Sequence, residues 1–486
     1  MSVSINRSEL RDKIYGCWTG KNIGGTLGGP YELRRELLDV KGYSTPAGEP
    51  MPNDDLDLQL VWLRALQNHG PLAVNAAVLG EYWLDFIPPH WNEYGVNKAN
   101  QRAGLSPPLC GEYRNAWKHS NGAWIRTEIW ACTAPGCPDI AMKYAYEDAC
   151  VDHGGGEGTY AALFIAAIQS AAFVIGDRDE LIEIGLSRIP ADCRVARSVR
   201  IVLDAHASGK TWQEARELVL KDSDDLGWFQ APANIGFTII GWMYGEGDFG
   251  KSLLIAVNCG DDTDCTAATL GAILGIIYGR SGIPVEWMEP IGDRIFTIAI
   301  NTGNMVPRPP ATCSDLTDQV MELVPSMLSA CNGKVSITDG DTDLSGLAEL
   351  QLDNAAIAER MWERSPYSVI HDFIHTRVTL DYGREPDVRP GEPFELRLSF
   401  WNLMPSPRHL RLKWHLPSGW TVLSPNSTHI YLRNEDVYGQ EAAEMTVSLL
   451  PGEVCEETSR GILEVIAEGR PTVGLVPLVF FDGSSC

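Results

Sequence analysis

Three aspartates, Asp261, Asp262 and Asp264, fall within four positions of the stretch NCGDDTDCTAATLGAILGIIYG, Asn258 to Gly279. After Asp264 the stretch is rich in Ala, Leu and Ile and carries no further charge. A helix apolar on every side belongs at the centre of a large bundle. The chain therefore sets its densest negative charge at the mouth of a buried helix, which demands both a full-sized core and a use for the charge. The core is within reach, since 44% of the 486 residues are hydrophobic and 21% are charged. The length also leaves room for more than one domain.

Up to about residue 335 the pattern is helical. The run LDLQLVWLRALQ sets Leu56, Leu60, Leu63 and Leu66 on one helical face. Thr159–Ile175, Ile235–Tyr244 and Thr266–Tyr278 are small or apolar all round and read as central helices. Gly and Pro clusters mark the loops. From about residue 376 the texture changes to short alternating runs such as FELRLSFWN and HLRLKWHL, broken by Pro, Gly and Asn. That spacing predicts an antiparallel β-sandwich. The expected domains are a helical unit over 1–335, a connection over 336–375 and a sandwich over 376–486. In the connection, Asp339, Asp341 and Asp343 imitate a calcium loop. Leu344 and Leu350 stand where that loop needs Gly and Glu, so the segment reads as a solvated linker.

A second acidic turn, NDDLDLQL, places Asn53, Asp54 and Asp55 just before the amphipathic helix. Helix capping accounts for one or two such residues per helix. It does not account for three like charges at 261–264, which a hard divalent cation would neutralise. Asp57, one helical step from Leu56, is expected to face away from any site.

The formal net charge of −25 argues against nucleic-acid and anionic-membrane partners. No apolar run suits a signal peptide or spans a bilayer comfortably. The twelve cysteines lack CxxC or zinc spacing and read as free thiols of a cytoplasmic protein.

Read outward from the two acidic turns, four blocks in order resemble the ADP-ribosylglycohydrolase family. They are GCWTGKNIGGTLGGPYE (Gly16–Glu32), NDDLDLQL, the stretch from NGAWIR to HGGGEG (Asn121 onward), and GDDTDC opening the Ala/Gly-rich helix. The match covers roughly residues 8–330. The resemblance implies an all-α bundle with a metal pair, usually Mg²⁺, in a central cleft. The implied ligands are Asn53, Asp54, Asp55, Asp262, Asp264 and Cys265. Asn53 and Cys265 each replace a threonine of the family pattern; the amide oxygen still suits a hard cation, whereas a thiol prefers softer metals. Asp261, where the family often has Gly, can offer a new oxygen. Mn²⁺ or Ca²⁺ are the other candidate ions.

By the same resemblance Glu32 is an acid near the scissile bond. A general base is expected in Glu32 or in Asp54 or Asp55. Asn121, Gly122 and Ala123 are expected to offer backbone N–H groups to the substrate, and His153, Gly154 and Gly155 to touch it. Glu157 is a further contact candidate or a helix cap. Arg126 either joins the site or pairs with an acid, and Trp124, Trp130 and Trp242 line the cleft or fill the core.

The implied activity is metal-dependent cleavage of a ribosyl-type glycosidic bond, ADP-ribosyl-linked, in a small-molecule or glycosylated substrate. The alternatives are a carbohydrate O- or N-glycosidase acting on a furanoside, and a silent binding protein. The oligomeric state stays open.

Overall fold

Gly16, Gly20, Gly24 and Gly28 recur every fourth residue along the Arg7–Gly28 helix, so they share one face. That face lies against the Thr263–Tyr278 helix. A Cβ at Gly16, Gly20, Gly24 or Gly28 would fall 2.0–2.2 Å from the carbonyl oxygens of Gly275, Gly271, Ala267 and Thr263 respectively. The two helices thus meet backbone to backbone and run antiparallel. The order of these pairs brings the end of the first helix to the start of the second, where Thr263 Oγ1 donates to Gly28 O at 2.8 Å. The glycine stripe thereby brings the Glu32 loop to the Asp262 turn.

The computed structural model describes residues 3–352, 354–424, 428–433, 442–453 and 455–483. The chain divides into two compact units, Met1–Lys98 with Arg114–Glu363, and Ala99–Tyr113 with Arg364–Cys486. In the first unit the expected central runs form the helices Glu157–Ala171, Ala231–Tyr244 and Thr263–Tyr278, nearly every residue buried. The amphipathic run forms Asp54–His69. No helix among the described residues is long and apolar enough to cross a membrane, and the eleven cysteines among them are free, nine of them buried.

The helical unit is not purely helical. Strand β1 (Val3–Asn6) pairs in parallel with β2 (Val335–Thr338), Val3 opposite Val335. Buried Val3, Ile5 and Val335 drive the pairing. Beyond β2, Asp343 and Ser4 exchange backbone hydrogen bonds of 2.9 Å each way. The segment 336–363 also contains the helix Ala356–Trp362 and belongs to the helical unit.

The second unit contains β3 (Ser368–Asp372), β4 (Thr376–Asp381), β5 (Asp387–Val388), β6 (Phe394–Asn402), β7 (Arg408–His415), β8 (Thr421–Ser424), β9 (His429–Leu432), β10 (Ala443–Leu450), β11 (Thr458–Ala467) and β12 (Val473–Asp482). They form two five-stranded sheets, β3-β4-β6-β10-β8 and β5-β12-β11-β7-β9. All pairings are antiparallel except β12 with β5. Alternation sets Phe394, Leu396, Leu398 and Phe400 inward on β6. Phe394 meets Phe480 of the other sheet at 5.5 Å between ring centroids, as in a face-to-face sandwich. The 99–113 segment is part of this unit. Tyr113 stacks on Phe481 at 4.8 Å and donates to Asp387 Oδ1 at 2.7 Å. Arg460 donates to Ala103 O at 2.6 Å.

Candidate active site and metal centre

Asp262 stands at the N-cap of the Thr263–Tyr278 helix, yet its side chain caps nothing. Its Oδ2 accepts from Asn121 Nδ2 at 2.7 Å, and its Oδ1 has no hydrogen-bond partner among the described residues. Asp264 is alike: Oδ2 accepts from Asn53 Nδ2 at 3.4 Å, and Oδ1 is partnerless and buried. Capping therefore does not explain this turn. Two orphaned carboxylate oxygens in the interior cost free energy unless a cation meets them.

The other acidic turn divides its duties. Asn53 Oδ1 accepts from Asp55 N at 2.7 Å, so capping does account for Asn53, and its oxygen is engaged with the helix. Asp54 Oδ2 accepts from the Tyr94 hydroxyl at 2.8 Å. Asp55 Oδ1 accepts from the Cys265 thiol at 3.4 Å, while its Oδ2 lies 3.6 Å from Lys21 Nζ. One ligand atom from each of Glu32, Asp262 and Asp264 lies within 4.8 Å of the others, and the same holds for Asp55, Asp264 and Cys265. The donor set fits a hard divalent cation at the all-oxygen group. It fits less well at the group holding Cys265. Burial, with Asp262 and Asp55 beside it, pushes that thiol well above its usual range, so it stays protonated.

Burial raises every carboxyl of the cluster. For Asp54 the Asp264 charge adds to it; Asp55 is raised well above its usual range despite Lys21; Asp262 is raised by burial and then by Asp264 and Glu32. Glu32 sits at the solvent edge of the group, and desolvation, followed by the Asp264 and Asp54 charges, pushes it up to about 8. Buried acids this close to one another resist ionisation.

These residues line a cleft of about 650 Å³. Its walls include Glu32, Asn53, Asp54, Asn121, Gly122, Asp262, Asp264 and Cys265 from the sequence-derived candidates. Ala123, His153, Gly154 and Gly155 are not among its lining residues. His153 is fully buried, with Nδ1 2.8 Å from Asp152 Oδ1 and Nε2 3.0 Å from Ser120 Oγ. Asp55 is also fully buried behind the wall.

Asp261 belongs to neither of these groups: Oδ1 accepts from Phe229 N at 3.1 Å and Oδ2 pairs with Arg35 at 3.2 Å. Glu157 accepts from the backbone N–H groups of Arg194 and Val195, each at 3.0 Å, and so caps the next helix. Arg126 pairs with Asp148 and Asp152, at 3.0 and 2.8 Å. Trp124, Trp130 and Trp242 are core. Asp57 does lie off the cleft, but it is buried, and its Oδ2 accepts from Ile298 N and Ala299 N at 2.6 Å each. It fastens the loop whose Ile298 lines the cleft.

Sequence reasoning missed several contributors. Lys21 is fully buried between Asp55 and Glu128, 3.0 Å from Glu128 Oε1. Gln59 and Gln169 donate to the same carboxylate at 2.5 and 2.8 Å. A lysine inside a glycine-rich buried helix was the available signal. Trp91, Glu93, Tyr94 and Phe229 also line the cleft. The first three stand in the dense HWNEYG stretch, just after a Pro-Pro turn.

The family profile described as ADP-ribosylglycohydrolase matches residues 6–328. An ADP-ribosylarginine hydrolase Tri1 of Pseudomonas putida (strain GB-1) is 41% identical over 317 residues, covering 59% of this chain and 76% of that relative. A protein of the same name from Serratia proteamaculans (strain 568) is 37% identical over 67 residues, 13% of this chain and 18% of the relative. Among solved structures, an ADP-ribosylglycohydrolase-related protein complex is similar at 19% identity and a TM-score of 0.45, covering 66% of this chain and 99% of that one. The GAE domain of GGA2p from Saccharomyces cerevisiae is similar at 14% identity and a TM-score of 0.17, covering 24% and 96%.

Proposed function

This chain belongs to the ADP-ribosylglycohydrolase family, and we propose that it is a Mg²⁺-dependent hydrolase of ADP-ribosyl N-glycosidic bonds, with ADP-ribosylated arginine as its substrate. The observation that carries this reading is the pair of buried, partnerless oxygens on Asp262 and Asp264, inside the matched region. Asp54, Asp262 and Asp264 would hold the ion, with Asp55 behind them. When bound, the ion supplies Lewis-acid polarisation of ribose hydroxyls and of a water. Mn²⁺ or Ca²⁺ suit the same oxygens.

Glu32 is the group placed to exchange a proton with the attacking water. It lies at the open edge of the cluster and keeps its proton to higher pH than an ordinary glutamate. The remaining carboxylates stabilise the oxocarbenium-like state at the anomeric carbon. Asn121, fixed to Asp262, and Gly122 present the loop that would receive the substrate. The free, buried thiols suit a reducing compartment such as the cytoplasm.

A second reading draws on one observation. Among the described residues no lysine or arginine lines the cleft, so a pyrophosphate would depend on the ion and on backbone N–H groups. An uncharged furanoside needs no such donors. The test follows free ADP-ribose released from ADP-ribosylarginine with Mg²⁺ and with EDTA, beside an aryl ribofuranoside. Mg²⁺-dependent release of ADP-ribose supports the first reading. Cleavage of the furanoside alone moves the protein to carbohydrate chemistry, and no cleavage of either with tight Mg²⁺ binding leaves a silent binding protein.

A further inference from the structure

The cleft contains an acid that neither acidic turn supplies. Glu93 lines the wall next to Ser120, Asn121 and Gly122. It is 5% exposed, and its Oε2 has no hydrogen-bond partner among the described residues. The Ser120 side chain favours the ionised form of the Glu93 carboxylate, and one ligand atom from each of Glu93, Asp152 and His153 lies within 4.8 Å of the others. Ser120 Oγ lies 3.0 Å from His153 Nε2, and His153 Nδ1 lies 2.8 Å from Asp152 Oδ1. Arg126 closes the line with two further bonds to Asp152, of 2.8 and 3.1 Å.

Two glycines make room for the ends of this line. A Cβ at Gly122 would sit 2.3 Å from Glu93 Oε1, and a Cβ at Gly158 would sit 2.1 Å from His153 Cδ2. The charged groups around the imidazole are Glu93, Asp152 and, through Asp152, Arg126 with its second partner Asp148. Burial alone would raise the Asp152 carboxyl, but Arg126 and His153 hold it below its ordinary range. Asp152 is thus a fixed anion that favours a proton on Nδ1.

We infer that Glu93 is the general acid for the leaving group and that Ser120 and His153 resupply its proton from inside the protein. The inference rests on the hydrolase reading above. The electron pair of the breaking anomeric C–N bond stays on the leaving nitrogen, which takes the proton from Glu93 Oε2. As it leaves, the Ser120 hydroxyl proton passes to Glu93 Oε1 and the His153 Nε2 proton passes to Ser120 Oγ. The carboxyl exchanges its C=O and C–OH oxygens, Ser120 ends unchanged, and His153 ends as a neutral imidazole that keeps its Nδ1 proton, directed at Asp152 Oδ1. One proton has moved from the imidazolium to the leaving group. Glu93 is the catalytic residue of this line; Ser120 and His153 act through it.

The test compares wild type, Glu93→Gln and Ser120→Ala on two substrates. ADP-ribosylarginine has a strongly basic leaving group. A 4-nitrophenyl ADP-ribose ether has one that departs without a proton. Glu93→Gln should lower kcat on the arginine substrate by about a hundredfold or more, with little change in KM, and leave the nitrophenyl rate within about threefold. Ser120→Ala should give the same pattern, more weakly. Equal loss on both substrates, or unchanged arginine turnover, overturns the inference.

A second readout needs no substrate: ¹⁵N shifts of His153 in histidine-labelled full-length protein, assigned with His153→Gln. The relay requires Glu93→Gln to move the His153 ring shifts between pH 5 and 9, and superimposable titrations overturn it. If wild type cleaves neither substrate, the hydrolase reading fails, and the ring shifts still decide whether Glu93 and His153 share a proton line.

Discussion

The helical unit buries many charged side chains and the β unit buries few. In the helical unit Lys21, Asp55, Asp57, Arg126, Glu128, Asp148, Asp152, Asp262 and Asp264 all lie inside. Among the described residues of the β unit, the buried Asp, Glu, Lys, Arg and His side chains are Glu112, His375 and Arg408. Its ion pairs, such as Arg377 with Asp372 and His415 with Glu464, are on the surface. Surface pairs of this kind contribute little to stability, so the β unit's order rests on apolar layers such as Phe394, Phe480 and Trp420. A unit that pays the desolvation cost of so many ions has a use for them, and the chemistry is therefore sought there.

The strongest way to break the comparison is to remove one buried acid. Asp262→Ala should lower turnover of ADP-ribosylarginine by more than about a hundredfold and weaken Mg²⁺ binding measured by calorimetry. Wild-type turnover with unchanged Mg²⁺ affinity would mean that these charges serve the fold alone. The next largest effect concerns the seam that positions them. Gly20→Ala places a methyl 2.0 Å from Gly271 O. Two helix backbones must then separate, which should cost about 3 kcal/mol or more in thermal unfolding. Asp57→Ala should cost about 1–3 kcal/mol for each of the two backbone N–H groups it leaves unpaired.

What the sequence disclosed follows from range. The acidic turns, the buried helices and the alternating strands are local patterns, and each was readable in a window of about twenty residues. The glycine spacing of Arg7–Gly28 was also local, but its partner lies some 240 residues on, so its meaning as a seam was not readable. The pairing of β1 with β2 joins two four-residue strands more than 300 residues apart, too short to carry a pattern of their own. The HGGGEG stretch suggested loop contact with a ligand. In the fold it is a tight passage whose glycines admit the His153 ring and the Lys118 backbone. Glu93 escaped notice because a lone glutamate on a polar helix usually faces water.

Chain connectivity sharpens the comparison further. The β unit is built from two separate pieces of chain, 99–113 and 364–486. Limited trypsin digestion should cut at Arg360 or Arg364, beside the boundary at 363/364. The two fragments should nevertheless co-elute in gel filtration, because Tyr113 and Ala103 remain bound to Phe481, Asp387 and Arg460. Urea should then separate them. Fragments that part without denaturant would show that 99–113 is dispensable to the sandwich.

The smallest effect tests whether the two units answer pH with opposite signs. In the β unit, burial holds His371 down to about 4, with Asp372 opposing. Its folded value lies below the unfolded 6.5, so the unfolded chain binds more protons between those limits. Its contribution to stability is full above pH 6.5 and is lost as pH falls toward 4, by at most about 1.4 kcal/mol per pH unit. In the helical unit, burial raises Asp148 to about 7 against the pull of Arg126. There the folded state binds the extra proton between 3.8 and 7, so its contribution is present at low pH and is lost as pH rises through 7. Calorimetry of the full chain at intervals from pH 4.5 to 7.5 separates the two. His371→Gln should flatten the acid-side loss of stability, and Asp148→Asn should flatten the loss on approaching neutrality. Identical profiles for both variants and wild type would mean that neither group changes its proton affinity on folding. The contrast in buried charge would then be one of catalysis alone, with no trace in stability.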